Sequence, residues 1–415
     1  MIRTDILDCN LNRAEADALN RASGERYSQV MLFHWRLYRR KRHWLSQNAA
    51  ERWNDRANAG QATVLQAHSI DAAQQAFYKA CKTAKANREK GAKYPHKRKR
   101  YRTTIWKQSA IRRQGDILLL SRAKGLSPIS IPLPEHLLPV LRFLEVRLVY
   151  ERSKRRYFWH LVVENGKQSR DPPRTNTIAL DLGEVHPAAM SDGQTSVVIT
   201  CRTLRSQRQY SAKRLSELRA RQAKCKRGSR LWKRIGRRIS RFLYQQAKRT
   251  RDMEHKISRE VVKVAVEQQA GTIVIDDVRE AADRVALGKQ TNQKLSNWSH
   301  GKLRQYISYK AEAEGMKTEL VDERYTSQTC PSCGCRHKPR GRTYACGRCG
   351  FRGHRDVVGA VNILSVKLHG QPGKIQPSGS TRYRIPFNKR VLRSPLDTGH
   401  VACGLAGQPQ EAASL

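Results

Sequence analysis

The chain has 415 residues, enough for two or three domains with cores of their own, and its 39% hydrophobic content fits a folded protein. Against 35 Asp and Glu stand 81 Lys and Arg, a formal net charge of +46, far beyond what solubility needs, so a polyanionic partner is expected. No apolar run of about 18 residues, no signal peptide and no compact basic amphipathic anchor stands out, which sets the membrane aside and leaves nucleic acid.

Residues 1–95 read as a basic helical region. In "SQVMLFHWRLYRRKRHWLS", Val30, Phe33, Leu37 and Trp44 recur at near-helical spacing while Arg and Lys fill the other face. A solvated basic side and a nucleic-acid contact fit that face equally well. Residues 96–172 change texture. "YPHKRKRYR" is a basic and aromatic cluster that nominates Lys97, Arg98, Lys99 and Arg100 for nucleic-acid binding. After it come the β-forming runs "DILLLS", "SPISIPLP", "LEVRLVYE" and "YFWHLVVEN", broken by Gly, Pro and charged turns, which predict a small β-rich, barrel-like domain. Pro172 and Pro173 in "SRDPPR" end it as a linker, because neither helix nor ladder pairing accommodates them.

From residue 173 to 329 the pattern predicts alternating strands and helices. "NTIALDLGEVHPAAMSDGQTSVVIT" gives a strand ending at Asp181, a second from about His186 to Met190, an Asp192-Gly193 turn and a third from about Ser196 to Thr200. Residues 202–251 then carry 19 Lys and Arg and a single acid, Glu217. Leu231, Ile235 and Ile239 mark one stripe there, so a helix pair with a basic surface is expected, with Arg227, Arg230, Lys233, Arg234, Arg237 and Arg238 as further nucleic-acid contacts. Ile257, Val261 and Val264 turn the following helix toward the sheet. "GTIVIDDV" is a buried strand ending in Asp276 and Asp277, and "GKLRQYISYKAEAEG" is a helix stopped by Gly315. "KTELVDE" is a fifth strand that delivers Asp322 and Glu323. Residues 330–350 interrupt the pattern, a last helix follows within 351–370 beginning at Asp356, and 371–415, rich in Gly, Pro, Ser and Gln, reads as a flexible tail.

Three strands, then helix, strand, helix, strand, helix is the element order of an RNase H-like fold. Acidic residues fall at the ends of its first, fourth and fifth strands and at the start of its last helix. In-line cleavage of a phosphodiester uses two divalent ions about 3.5 to 4 Å apart, and Mg2+ takes hard oxygen ligands, so converging carboxylates are what that chemistry needs. A lone Asp closing a strand is more often a turn former or a cap; only the joint placement points to catalysis.

Cys330 and Cys333, then Cys346 and Cys349 after 12 intervening residues, form two CxxC knuckles, the spacing of a closed, structural zinc ribbon. Cys335 and His337 lie nearby but fit the two-knuckle pattern less well. The remaining cysteines are scattered, which favours a reducing compartment over a disulfide scaffold. The expected fold class is α/β: an RNase H-like domain with an inserted zinc ribbon, preceded by a helical region and a small β-barrel-like domain.

"ALDLGEVHPAAMSDG", "YKAEAEGMKTELVDERYTSQTCPSCG" and "CGRCGFRGHRDVVGAVNIL" resemble the RuvC domain and zinc ribbon of the TnpB family, transposon-encoded RNA-guided nucleases related to the type V CRISPR effectors. The resemblance is strong over about residues 175–370, and it matches the family's recognition and wedge regions only in outline before that. It implies a guide RNA, a double-stranded DNA target, a single RuvC site with two Mg2+, a structural Zn2+, and a monomeric ribonucleoprotein in the prokaryotic cytoplasm beside the nucleoid. Carried over by position, Asp181 matches the first catalytic aspartate and Asp356 the last. Between them the family usually has glutamate at the end of the fourth strand, where this chain has Asp276. Glu323, at the end of the fifth strand, is the alternative with a longer reach, so the expected set is Asp181, Glu323 and Asp356 with Asp276 and Asp277 in reserve. A nuclease-impaired guide-directed DNA binder and a transposase acting on element ends are the rival readings.

Overall fold

The computed structural model describes residues 2–164, 175–277, 288, 292, 298, 300–322, 324–339, 341–377 and 380–386. It divides into two units, residues 1–168 and 169–415.

The first unit opens with strand β1 (Ile2–Asp8) and helices α1 (Arg13–Lys41), α2 (Gln47–Ala57) and α3 (Ala67–Ala86). Asn12 caps α1 by accepting from Glu15 N at 2.9 Å, and Ser46 caps α2 through Ala49 N at 3.3 Å. Strands β2 (Thr104–Lys107), β3 (Ile111–Gln114), β4 (Ile117–Leu120), β5 (Ile129–Pro132), β6 (Arg142–Glu151) and β7 (Arg156–Glu164) follow. They form a four-stranded sheet in the order β1-β7-β6-β2 and a three-stranded meander β3-β4-β5, sharing an apolar core around Trp106, Trp159, Leu118 and Val146. Among the described residues these are two open sheets, with no pairing that closes a barrel.

Two expectations need correction. Residues 1–95 are not all helical, because β1 pairs antiparallel with β7 along its whole length. Its apolar alternation is weak, with Ile2 and Ile6 more than half exposed, so the periodicity that reveals a half-buried strand is missing. The stretch 371–415 is also not uniformly unstructured, as described below for its strand; residues 387–415 lie outside the described set.

The second unit is built on β8 (Asn176–Asp181), β9 (Ala188–Ser191), β10 (Ser196–Ile199), α4 (Arg202–Ala223), α5 (Arg230–Glu267), β11 (Ala270–Asp276), α6 (His300–Ala313), β12 (Lys317–Val321), β13 (Thr343–Ala345), β14 (Arg352–His354), α7 (Arg355–His369) and β15 (Thr381–Arg384). Its six-stranded sheet runs β12-β11-β8-β9-β10-β15. Strands β8, β9 and β10 form an antiparallel meander, and β11 and β12 add parallel to β8. The turn between β9 and β10 is local chemistry: Asp192 Oδ1 accepts from Gln194 N at 2.9 Å and Thr195 N at 2.6 Å, and Gly193 takes φ 92°.

Both faces of the sheet are covered. Ile178, Leu180, Ile273 and Ile275 pack against Ile257, Val261 and Val264 of α5 and Leu303 and Ile307 of α6. On the other face the small Ala179 and Ala189, with Val198 and Val274, meet Val357, Val361, Ile363 and Leu364 of α7. Each fully buried aliphatic side chain contributes roughly 1.5–3 kcal/mol, so this sandwich is the rigid part of the unit. The last strand, β15, pairs parallel with β10, and Arg384 fixes it through Glu260 at 3.1 Å and through Glu267. "TRYR" has no apolar alternation, and ion pairs rather than burial hold it, which is why the sequence reads as tail.

Candidate active site

Asp181 is the last residue of β8, half-buried. Its carboxylate lies against the backbone of Gly359 in α7, where a Cβ would overlap Asp181 Oδ2. Only glycine at that helical position admits the approach, and its lower helix propensity is the cost of it. Gly359 is three residues after Asp356, one turn along the same helix, so Asp181 and Asp356 are brought to one corner of the sheet. Asp356 lies in the first turn of α7, one residue after the helix begins, with His354 at the N-cap position. Its side chain is 12% exposed, and Arg342 Nη1 donates to its Oδ1 at 3.2 Å.

Asp276 ends β11, the parallel neighbour of β8, and is 2% exposed. Its Oδ1 accepts from Leu182 N at 3.1 Å, which ties the fourth strand's carboxylate to the backbone immediately after Asp181. Asp277 faces away toward α6, where Arg304 Nη1 lies 3.7 Å from its Oδ1. Glu323 lies outside the described residues; its neighbour Asp322 is exposed and accepts from Arg324 N at 3.0 Å.

Two histidines that sequence reasoning passed over complete the corner. His186, in the loop between β8 and β9, and His354, at the end of β14, stack edge-on with ring centroids 5.1 Å apart. Their ligand atoms and that of Asp356 lie within 4.8 Å of one another. Burial pushes both imidazoles below their ordinary range, and the Asp356 carboxylate pulls each part of the way back. The signal for His354 was its place two residues before Asp356 in "GHRD"; His186 gives no signal in the sequence.

The cysteines form a separate module. "CPSCG" and "CGRCG" fold alike: Gly334 N donates to Cys330 O at 2.9 Å and Gly350 N to Cys346 O at 3.0 Å, with both glycines left-handed at φ 69° and 73°. The two knuckles bring Cys330, Cys333, Cys346 and Cys349 together, with Cys330 to Cys349 and Cys333 to Cys346 sulfur separations of 3.6 Å. Four thiolates about 2.3 Å from a tetrahedral ion stand about 3.8 Å apart, so the set could hold zinc, and in a closed four-sulfur site such a zinc would be structural. Backbone hydrogen bonding at Phe351 draws the Cys349 thiol down to about 6, whereas burial pushes Cys330 up to about 12. His337 is engaged elsewhere, its Nδ1 3.2 Å from Tyr344 Oη, and neither it nor Cys335 joins the four-thiol group.

The module and the carboxylate corner are continuous. On either side of the second knuckle, β13 and β14 pair antiparallel, so the hairpin that carries Cys346 and Cys349 at its tip ends on Arg342 at one base and His354 at the other. Asn362 of α7, fully buried, fastens the other side. Its Nδ2 donates to Thr326 O at 2.7 Å and Thr329 O at 2.8 Å, and its Oδ1 accepts from Gly373 N at 2.9 Å.

The basic candidates are all exposed. Lys97, Arg98, Lys99 and Arg100 lie on a strap whose backbone is pinned to α1: Ser28 Oγ accepts from Lys99 N at 2.9 Å, and a Cβ on Gly24 would meet Lys99 O at 2.6 Å. Arg227, Arg230, Lys233, Arg234, Arg237 and Arg238 line the turn between α4 and α5 and the first turns of α5. Helix α5 has 38 residues, ~57 Å long, and its buried residues begin only at Gln246, so its first half with α4 makes a basic two-helix arm. Among the described residues no helix is long and apolar enough to cross a membrane.

Two family models match the chain: one described as a Cas12f1-like TNB domain over residues 300–363, and one described as a probable transposase over 160–282. A TnpB-like protein of Methanocaldococcus jannaschii is 30% identical over 129 residues, covering 30% of this chain and 46% of that protein. A CRISPR-associated endodeoxyribonuclease Cas12f1 of Sulfoacidibacillus thermotolerans is 34% identical over 112 residues, 26% of this chain and 25% of that one. The chain thus spans less than half the length of either curated relative. In three dimensions it is similar to Cas12f1 in a complex with sgRNA and target DNA, with a TM-score of 0.55, 13% identity, and 85% and 83% of the two chains covered. The mini-RNA-guided endonuclease CRISPR-Cas_phi3 gives a TM-score of 0.52 at 11% identity, over 91% and 93%. At these identities what is shared is the mixed α/β fold of the Cas12 effectors. The family models and the curated relatives together make the chain similar, over residues 160–282 and 300–363, to TnpB-like proteins and to the related type V effectors.

Proposed function

We propose that this chain is a transposon-associated, RNA-guided DNA endonuclease that cuts in a single RuvC-like site. The observation that supports the reading is the placement of Asp181 against Gly359, three residues after Asp356 in α7, with Asp276 on the adjacent strand end, in a sheet ordered β12-β11-β8-β9-β10. That order, an antiparallel meander extended by two parallel strands, is the RNase H-like arrangement. On this reading residues 173–329 and 351–370 are the nuclease domain, 330–350 its zinc ribbon, and 1–95 and 96–172 the recognition and wedge regions.

Asp181 and Asp356 are the hard oxygen donors suited to Mg2+, with Glu323 or Asp276 as the third. When bound, a pair of Mg2+ ions supplies an activated water and charge stabilisation for in-line phosphodiester cleavage. The chain's own part is positional: the sheet fixes Asp181, α7 fixes Asp356, and the exposed Lys97–Arg100 strap and the α4–α5 arm hold nucleic-acid phosphates. The partners on this reading are a guide RNA and a double-stranded DNA target, met by a monomeric ribonucleoprotein at the prokaryotic nucleoid.

A second reading, a guide-directed DNA binder that does not cut, draws on the fourth-strand position, where the buried Asp276 already accepts from Leu182 N. Sequencing the RNA that copurifies with the protein, then assaying a plasmid that matches its 3′ portion with Mg2+, separates the two. Cutting that Glu323→Ala or Asp276→Ala abolishes also names the third carboxylate. Binding without cutting by the unmutated complex leaves only the second reading.

A further inference from the structure

We propose that His186, His354 and Asp356 form a binding site for a divalent first-row transition ion, separate from the four-cysteine site. The assignment shares Asp356 with the nuclease reading and rests on it only for the ion's place beside the reaction.

The local fold builds this site. Gly183 lets the loop after β8 double back, since a Cβ there would meet His186 O at 2.5 Å. The turn carries His186 inward to 7% exposure, and β14 delivers His354 opposite it. The Nδ1 atoms of both imidazoles are buried and have no hydrogen-bond partner among the described residues. A buried ring nitrogen with no partner is costly, and a native structure that keeps two side by side calls for an explanation. With Asp356 they give two imidazoles and one carboxylate whose donor atoms lie within 4.8 Å of one another. Small rotations bring such atoms to the about 3 Å separation of adjacent ligands on one ion.

That donor set selects the ion. Two imidazoles and a carboxylate suit Fe2+ and its later neighbours, with Mn2+ the weakest binder of that series, whereas Mg2+ takes oxygen ligands and keeps its water. Arg342 competes for the same carboxylate, but its side chain is half exposed and free to withdraw on ion binding. The geometry therefore predicts that a transition ion binds here even in excess Mg2+, and that Arg342 weakens it.

Mn2+ is the probe. The full chain, with its zinc and copurified nucleic acid, is titrated with Mn2+ in excess Mg2+ and followed by pulsed electron paramagnetic resonance. Bound Mn2+ is expected to show imidazole nitrogen couplings that change from 14N to 15N patterns when the protein is grown on 15N-histidine. Such labelling needs no substitution and excludes nucleobase nitrogens. His186→Ala and His354→Ala are each expected to remove couplings and weaken Mn2+ binding at least tenfold, and Arg342→Gln to strengthen it. Couplings that do not respond to histidine labelling, or Mn2+ affinity unchanged in both histidine variants, overturn the site. A complex that cuts with Mg2+ but lacks these couplings fails this inference alone; one that has them yet never cuts fails the nuclease reading alone.

Discussion

The six-stranded sheet and the cysteine module hold their candidate site residues by different physics. The sheet buries apolar side chains on both faces, and Asp181 and Asp276 are fixed because the strands that end in them are fixed. The module has a minimal core, Cys330, Tyr344, Cys346 and Val358, too small to order about twenty residues by burial. It delivers Arg342, His354 and the start of α7 to the same corner. On the proposed reading, with zinc in the four-cysteine group, a site assembled from one part held by burial and one held by ligation loses function in two distinguishable ways.

Among changes outside the carboxylates, the largest effect is expected in the cysteine module. Cys346→Ser should release the zinc, unfold the knuckles and reduce cleavage at least 100-fold by displacing Asp356, while far-ultraviolet circular dichroism of the sheet and helices changes little. Loss of cooperative unfolding throughout the second unit would break the distinction, because it would make the sheet depend on the metal. Next is the contact between the parts. Gly359→Ala forces the Asp181 carboxylate aside; a misplacement of about 1 Å costs about 100-fold, so cleavage should fall that far with guide and target binding unchanged. The smallest change in activity is expected from Asn362→Leu, which removes the amide's hydrogen bonds to Thr326 O, Thr329 O and Gly373 N. Its signature is a stability loss of about 3 kcal/mol, read as a lower unfolding midpoint, without loss of zinc.

What was legible in the sequence follows the same division. Strong period-two and buried runs, "NTIALD" and "GTIVID", announce their strands because both faces of each are apolar and covered. The four cysteines are legible because two CxxC pairs carry the spacing that a four-thiolate metal site requires. Strands β1 and β15 were not, since they are edge strands held by backbone pairing and by Arg384 rather than by an apolar face. Nor was His186, which reaches the site only through a loop whose path depends on the absence of a side chain at Gly183. Gly359 and Asn362 sit in a helix that reads as amphipathic, and nothing local tells which small or polar residue meets a carboxylate or a carbonyl from a distant strand or loop.

The reading as a nuclease with Asp181 and Asp356 in one centre is tested most directly by comparing binding with cutting. The unmutated ribonucleoprotein, given Mg2+ and a plasmid matching its own RNA, should cut. Asp181→Asn and Asp356→Asn should each bind that plasmid with unchanged affinity and fail to cut it, a loss of at least ~1,000-fold. Cutting that survives in both variants would contradict the account.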